Sequence, residues 1–143
     1  MRTKEERDSA IQNNRLKAAK QFYDELESIG GCYTLTETAK YLNVSVDDVS
    51  KMLENKMILG FSLLEKELFP KFQFQDGAVI NAYKTLIPIF NVSSLTATSF
   101  MMTGYVARGN DDIPYYEAMK KVNNKEFEII QRDAKFFGSP TPN

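Results

Sequence analysis

The segment from Leu35 to Leu53 constrains the fold more than any other part of the chain. Apolar residues recur there at helical spacing in two groups, which are Leu35, Ala39 and Leu42, and then Val46, Val49 and Leu53. Spacings of three, four and seven residues put each group on one side of a helix, so we expect two short helices that share a small core. Between them, Ser45 is a favoured N-cap residue. The segment therefore predicts a helix-turn-helix, whose second helix commonly enters the DNA major groove.

Composition limits the functions that are open to this chain. The 143 residues suit one domain or two small ones, and 43% of them are hydrophobic. The formal net charge of -1 argues against a generally basic nucleic-acid binder, although a local basic patch is compatible with it. The sequence has no histidine and one cysteine, Cys32. This excludes nucleophile pairs that need histidine, histidine-containing metal sites and a disulfide within the chain. We expect no catalytic residues, no metal site and no cofactor.

The sequence also bears on the compartment. The first eight residues are charged and lack the apolar region of a signal peptide. No run approaches the roughly 18 apolar residues that a membrane span requires. We therefore predict a cytoplasmic protein without membrane contact.

Local patterns divide the chain into three parts. Residues 1–30 predict an N-terminal helix that Gly30-Gly31 ends. Residues 31–71 contain the helix-turn-helix and then two short strands on either side of a charged turn, which would form a wing. Residues 72–143 carry several helical patterns after a linker that ends in Asp76-Gly77. The predicted fold class is mainly α, with a winged helix-turn-helix that includes a short β-hairpin, followed by a small helical bundle.

The N-terminal helix has two interpretations. Its second half carries apolar residues at helical spacing, namely Ala19, Phe22, Tyr23, Leu26 and Ile29. A narrow stripe of this kind can pack on the following domain, or it can pair with a second copy of the chain. One short recognition helix gives little affinity by itself, so DNA binding would favour a homodimer.

The order of motifs resembles that of a known family. The helix-turn-helix is followed by Lys56-Met-Ile-Leu-Gly-Phe61, then by Phe69-Pro-Lys-Phe-Gln-Phe-Gln-Asp-Gly77, and later by a short helix after Pro114. This arrangement is similar to the Xre/MbcA/ParS-type antitoxins, in versions with an excisionase-like or MerR-like helix-turn-helix. The resemblance implies a bacterial or phage antitoxin. Its C-terminal bundle would block a partner toxin, in that family commonly a RES-domain enzyme that consumes NAD, and its N-terminal part would bind the operator of its own genes.

Five residues are candidates for contact with double-stranded operator DNA. They lie near the second helix of the motif and comprise Ser45, Asp47, Ser50, Lys51 and Lys56. Serine can bond base edges or phosphates, and lysine neutralises phosphates. Asp47 and the neighbouring Asp48 suit the start of a helix but repel phosphates unless they accept hydrogen bonds from cytosine amino groups.

A second set of residues predicts contact with a protein partner. Aromatic and methionine side chains anchor protein interfaces, and they cluster on both sides of the loop before Pro114. The candidates are Met102, Tyr105, Tyr115, Tyr116 and Met119. The alternative for these residues is that part of the set completes the core of the bundle.

Three functions remain open from the sequence. The first is an antitoxin-like transcriptional repressor that binds a toxin through its C-terminal bundle and DNA through its helix-turn-helix. The second is a stand-alone phage or bacterial DNA-binding regulator of the excisionase-like kind. The third is a protein-binding adaptor that uses the helix-turn-helix as a scaffold. An enzyme is the least favoured interpretation, because no catalytic motif is present.

Overall fold

The computed structural model describes residues 3–104, 113–121 and 123–137. Over these residues the fold is mainly α-helical with small antiparallel sheets, as predicted. The helices are α1 (Lys4–Ser28), α2 (Leu35–Leu42), α3 (Val46–Glu54), α4 (Asn81–Leu86), α5 (Ser94–Met101), α6 (Tyr115–Ala118) and α7 (Asn124–Phe136). The strands are β1 (Cys32–Thr34), β2 (Phe61–Leu63), β3 (Lys66–Pro70), β4 (Phe74–Gln75) and β5 (Ala78–Val79).

Helix α1 packs on the rest of the protein only through its last third. A capping box between Thr3 and Glu6 begins the helix. Residues 4–18 are exposed apart from the half-buried Ala10. Farther along, Leu26 is buried in a cluster with residues of β2 and β3, and Phe22 and Tyr23 pack against that cluster. The predicted packing of the apolar stripe is therefore confirmed, and the first 15 residues of the helix lie outside it.

The wing belongs to a three-stranded antiparallel sheet in the order β1-β3-β2. β2 and β3 form the predicted hairpin, with Phe61 opposite Leu68. Its turn residues Leu64 and Glu65 both have positive φ, 51° and 62°, a conformation that usually favours Asn-Gly. Leu64 packs against the cluster beneath α1, and this contact favours the unusual turn. Sequence patterns missed β1, because a three-residue strand is too short to show alternation.

The predicted linker 71–77 is structured. One turn of 3-10 helix (Lys71–Gln73) leads into a second hairpin, β4 and β5, which turns at Asp76-Gly77 as predicted. Gln73 is fully buried and bonds the backbone of another segment. Its amide oxygen accepts from the Leu59 N–H at 2.7 Å, and its amide nitrogen donates to the Leu59 carbonyl at 2.8 Å and the Pro70 carbonyl at 3.0 Å. The Gln73 side chain thus joins Leu59, which lies just before β2, to the end of β3.

One apolar core runs through both halves of the chain. It joins Ala39 and Val49 of the helix-turn-helix to Ile130 and Ala134 of α7. Aromatic side chains lie between the two halves, where Phe69 and Phe74 are buried and Phe72 packs against the same core. Packing is continuous across the predicted boundary between residues 31–71 and 72–143, and this division into domains stays a prediction. None of the described helices has both the length and the apolar character of a membrane span.

Candidate nucleic-acid interface

The turn between α2 and α3 is built by local hydrogen bonds. Asn43 ends α2 with a left-handed conformation, φ 58°, which asparagine tolerates better than most residues. The Val44 N–H then donates back to the Ala39 carbonyl at 3.0 Å. Ser45 follows as the N-cap of α3, as predicted. The three residues 43–45 therefore connect two helices with the tight turn that defines a helix-turn-helix.

One of the two aspartates in the first turn of α3 forms hydrogen bonds that cap the helix. The Asp48 N–H donates to Ser45 Oγ at 3.0 Å, and Asp48 Oδ2 accepts from the Ser45 N–H at 3.3 Å. This capping box satisfies two backbone groups that helix termini otherwise leave without partners. Asp48 and the Ser45 hydroxyl thus have a structural role. The neighbouring Asp47 takes no part in the capping box.

The outer face of α3 lies opposite the fully buried Val49. It consists of the exposed residues Asp47, Ser50, Lys51 and Glu54. Lys56 is exposed just beyond the helix and has a positive φ of 55°. The five residues predicted for DNA contact are therefore all exposed, and Ser45 is the member whose side chain already serves the cap.

The predicted apolar stripe of α3 is wrong at its first residue. Val46 is 40% exposed, whereas Val49 is buried and Leu53 packs against the core. Val46 is the first residue of α3, next to the turn, and at this end of the helix its side chain is not covered by the core. Val44 in the turn is exposed as well. An exposed apolar side chain at the start of a recognition helix can contact a thymine methyl group.

The charge balance of the motif is acidic. From Asn43 to Lys56 the chain carries three carboxylates and two ammonium groups, and the tip of the wing adds Glu65, Lys66 and Glu67. Attraction to phosphates is the main source of non-specific DNA affinity. A groove contact through this motif therefore depends on few lysines, with Lys51 the one that lies on α3 itself.

Two of the residues predicted for partner contact are buried, which corrects that prediction. Tyr115 is 6% exposed and Met119 is 5% exposed. The Tyr115 ring stacks on Phe100 with a centroid distance of 4.2 Å, and its hydroxyl donates to Asp133 at 2.9 Å. These contacts close the core between α5, α6 and α7, which is the alternative that the sequence left open. Both side chains are inaccessible to a partner in this structure.

The other predicted partner residues differ in their surroundings. Met102 is half-buried against the cluster beneath α1. Tyr105 lies outside the described residues. Tyr116 is half-buried and stacks on Phe72 with a centroid distance of 5.4 Å. Burial raises the pKa of Tyr116 above its ordinary value.

Tyr116 borders a cleft that sequence patterns did not reveal. The cleft has a volume of about 480 Å³, and aromatic, apolar and basic side chains line it, including Phe72, Phe74, Ile80, Lys71 and Lys120. The Lys71 ammonium also lies 4.9 Å from the centre of the Tyr33 ring. Tertiary packing assembles this cleft from segments far apart in the chain, so no local signal marks it.

The described residues contain no cluster of three or more histidine, cysteine or acidic side chains that could hold a metal ion. Cys32 is half-buried, and burial raises the pKa of its thiol to about 11. A thiol with this pKa is almost fully protonated at neutral pH and is a poor nucleophile.

Comparisons with known proteins bear on the fold alone. No protein-family model matches the chain, and no curated protein matches it. An NMR structure of a protein named Rv2175c is similar, with a TM-score of 0.58. The similarity covers 74% of this chain and 80% of that chain, at 17% sequence identity. The likeness supports a mainly α fold with a small antiparallel sheet.

Proposed function

We propose that this protein is a transcriptional repressor that binds double-stranded operator DNA through α3. One observation carries the proposal: a capped recognition helix presents Asp47, Ser50 and Lys51 to solvent while Val49 anchors it in the core. A helix held in this way can enter the major groove as a rigid unit. The same proposal includes a cytoplasmic location and a protein that binds DNA without catalysing a reaction.

The family resemblance extends this proposal to an antitoxin that also binds a toxin. The cleft beside Tyr116 supports this extension, because its aromatic walls and its two lysines suit an apolar segment that carries acidic residues. Purification from native cells at moderate salt tests the extension. A small protein recovered in a stoichiometric amount together with promoter DNA would support an antitoxin. Promoter DNA alone would favour a stand-alone regulator.

Replacing Lys51 by glutamate is expected to weaken binding to a selected duplex by 10-fold or more. The ammonium group is the one cation of the outer face of α3, and the substituted carboxylate would repel phosphates. Binding is measured by fluorescence anisotropy, with duplexes first selected from a random library by the unaltered protein. Over a salt series, the slope of log affinity against log salt should become shallower by about 1.

Lys125→Glu is the matched control for the Lys51 experiment. Lys125 is exposed on α7, so the substitution makes the same change in net charge at a site away from α3. It should change affinity much less than Lys51→Glu does. Equal losses in the two variants would show that α3 is not the DNA-contacting element. If the unaltered protein binds no duplex at about 50 mM salt, a condition that favours non-specific binding, the adaptor function replaces the repressor.

We further propose that the repressor acts as a homodimer joined through α1. The exposed first 15 residues of α1 span about 22 Å, and an isolated helix of that length is only marginally stable in water. Two large apolar side chains lie on this part of the helix, Ile11 at 49% and Leu16 at 48% exposure. At the base of the exposed part, an apolar groove of about 450 Å³ borders Ala18, Phe22 and Leu95. Ile11, Ala18 and Phe22 are seven and four residues apart and so lie on one side of α1, where a second α1 would cover them.

Replacing Ile11 by glutamate is expected to convert a dimer into a monomer, because a charge would have to be buried in the apolar contact. Sedimentation velocity over a range of protein concentrations measures the change. The control is Gln21→Glu, which adds the same charge at an exposed site on α1. The dimer proposal is wrong if the unaltered protein sediments as a monomer, or if both variants stay dimeric.

A further inference from the structure

Asp47 is favoured by the dipole of α3, as an acid in the first turn of a helix is, but it takes no part in the cap. The neighbouring Asp48 holds the capping box, whereas no hydrogen bond or ion pair engages the Asp47 side chain in the part of the chain that the structure describes. Asp47 is exposed in the first turn of the helix. In a recognition helix, this first turn is the part that contacts base edges.

A carboxylate in this position has a particular chemistry toward DNA. It accepts hydrogen bonds and cannot donate them, so phosphate oxygens repel it. The amino group at N4 of cytosine is the base-edge donor that aspartate and glutamate commonly contact in the major groove. Lys51 lies four residues farther on, on the same side of α3, where its ammonium group can donate to O6 and N7 of guanine.

We propose that Asp47 is a specificity-determining residue that selects a cytosine by accepting a hydrogen bond from its N4 amino group. The half-site therefore contains a C·G pair at the position that faces the first turn of α3. This inference rests on the proposed DNA binding. It also explains why α3 carries an acidic residue on its outer face. The carboxylate lowers affinity for DNA of any sequence, and its contact with cytosine compensates for this loss at the correct site.

The inference predicts two changes of opposite sign in one variant. If Asp47 only repels phosphates, Asp47→Ala raises affinity for every sequence. If Asp47 reads cytosine, the same variant binds unrelated DNA more tightly and the selected duplex more weakly. Whether Asp47→Ala raises or lowers affinity for the selected duplex therefore shows whether Asp47 contacts a base.

The experiment begins with duplexes that the unaltered protein selects from a random library. Affinities are then measured at constant salt for the selected duplex and for single-pair variants in which each C·G pair becomes T·A. We expect one such change to weaken the unaltered protein roughly 5- to 150-fold, the range for a good base contact. The Asp47→Ala variant should bind the selected duplex and this T·A duplex with equal affinity.

Glu54→Ala is the matched control. Glu54 is an exposed carboxylate at the C-terminal end of α3, away from the turn that contacts bases. Its loss should raise affinity for both duplexes and keep their ratio. The inference is overturned if Asp47→Ala keeps the cytosine preference, or if it raises affinity for both duplexes. In either case DNA binding stands, whereas failure of the unaltered protein to select any duplex would overturn the repressor proposal itself.

Discussion

Replacing Gln73 by alanine is expected to lower the free energy of unfolding by about 3–5 kcal/mol. The amide of Gln73 makes three buried hydrogen bonds to the Leu59 N–H, the Leu59 carbonyl and the Pro70 carbonyl. Alanine would leave these backbone groups without partners, and each buried unsatisfied group costs about 1–3 kcal/mol. Urea unfolding followed by circular dichroism measures the loss.

Gln75 provides the control, because it is the second glutamine of the same Phe-Gln-Phe-Gln segment and is exposed. Gln75→Ala should change stability by less than about 0.5 kcal/mol, the usual range for surface positions. Gln73→Met keeps much of the volume and removes the hydrogen bonds, so it should remain strongly destabilising. If Gln73→Met were as stable as the unaltered protein, the side chain would only fill space, and its hydrogen bonds to Leu59 and Pro70 would contribute nothing to stability.

Replacing Gly60 by alanine is expected to destabilise the protein by about 2–3 kcal/mol, the upper part of the range for overpacked cores. A Cβ at this position would lie 2.5 Å from Cε2 and 2.6 Å from Cδ2 of Phe69. Leu53 Cδ1 is a further 3.3 Å neighbour. Phe69 is fully buried, so a movement of its ring away from residue 60 would disturb the close-packed core. The measurement is again urea unfolding, with the midpoint compared at a constant slope.

A double substitution separates the steric contact with Phe69 from the effect of the substitution on the backbone of residue 60. Phe69→Leu makes room beside residue 60, although it destabilises the core by itself. The double variant Gly60→Ala, Phe69→Leu should therefore be more stable than the sum of the single effects predicts. If the two effects simply add, contact with the Phe69 ring is not the reason why this position holds glycine.

Several elements were predictable because hydrogen bonds between residues close in the chain specify them. Ser45 caps α3 and Asn123 caps α7, and each accepts a hydrogen bond from a backbone N–H three residues later. Asp76-Gly77 turns the second hairpin. These interactions join residues close in the chain, so residue type and spacing were enough to predict the helix-turn-helix, the wing and most of the helices that follow. The same is true of the outer face of α3, whose exposed residues follow from the period of the helix.

The accessibility of individual side chains depends on tertiary packing and was not predictable from local patterns. Tyr115 and Tyr116 are neighbours with similar chemistry, yet the first stacks on Phe100 in the core and the second borders a cleft. Val46 has the spacing of the apolar stripe of α3 and is nevertheless exposed at the start of the helix. Strand β1 exists through its pairing with β3, about 35 residues away. Burial and strand pairing depend on partners that are distant in the chain, and hydrophobic contact is non-directional, so the period of a pattern does not identify those partners.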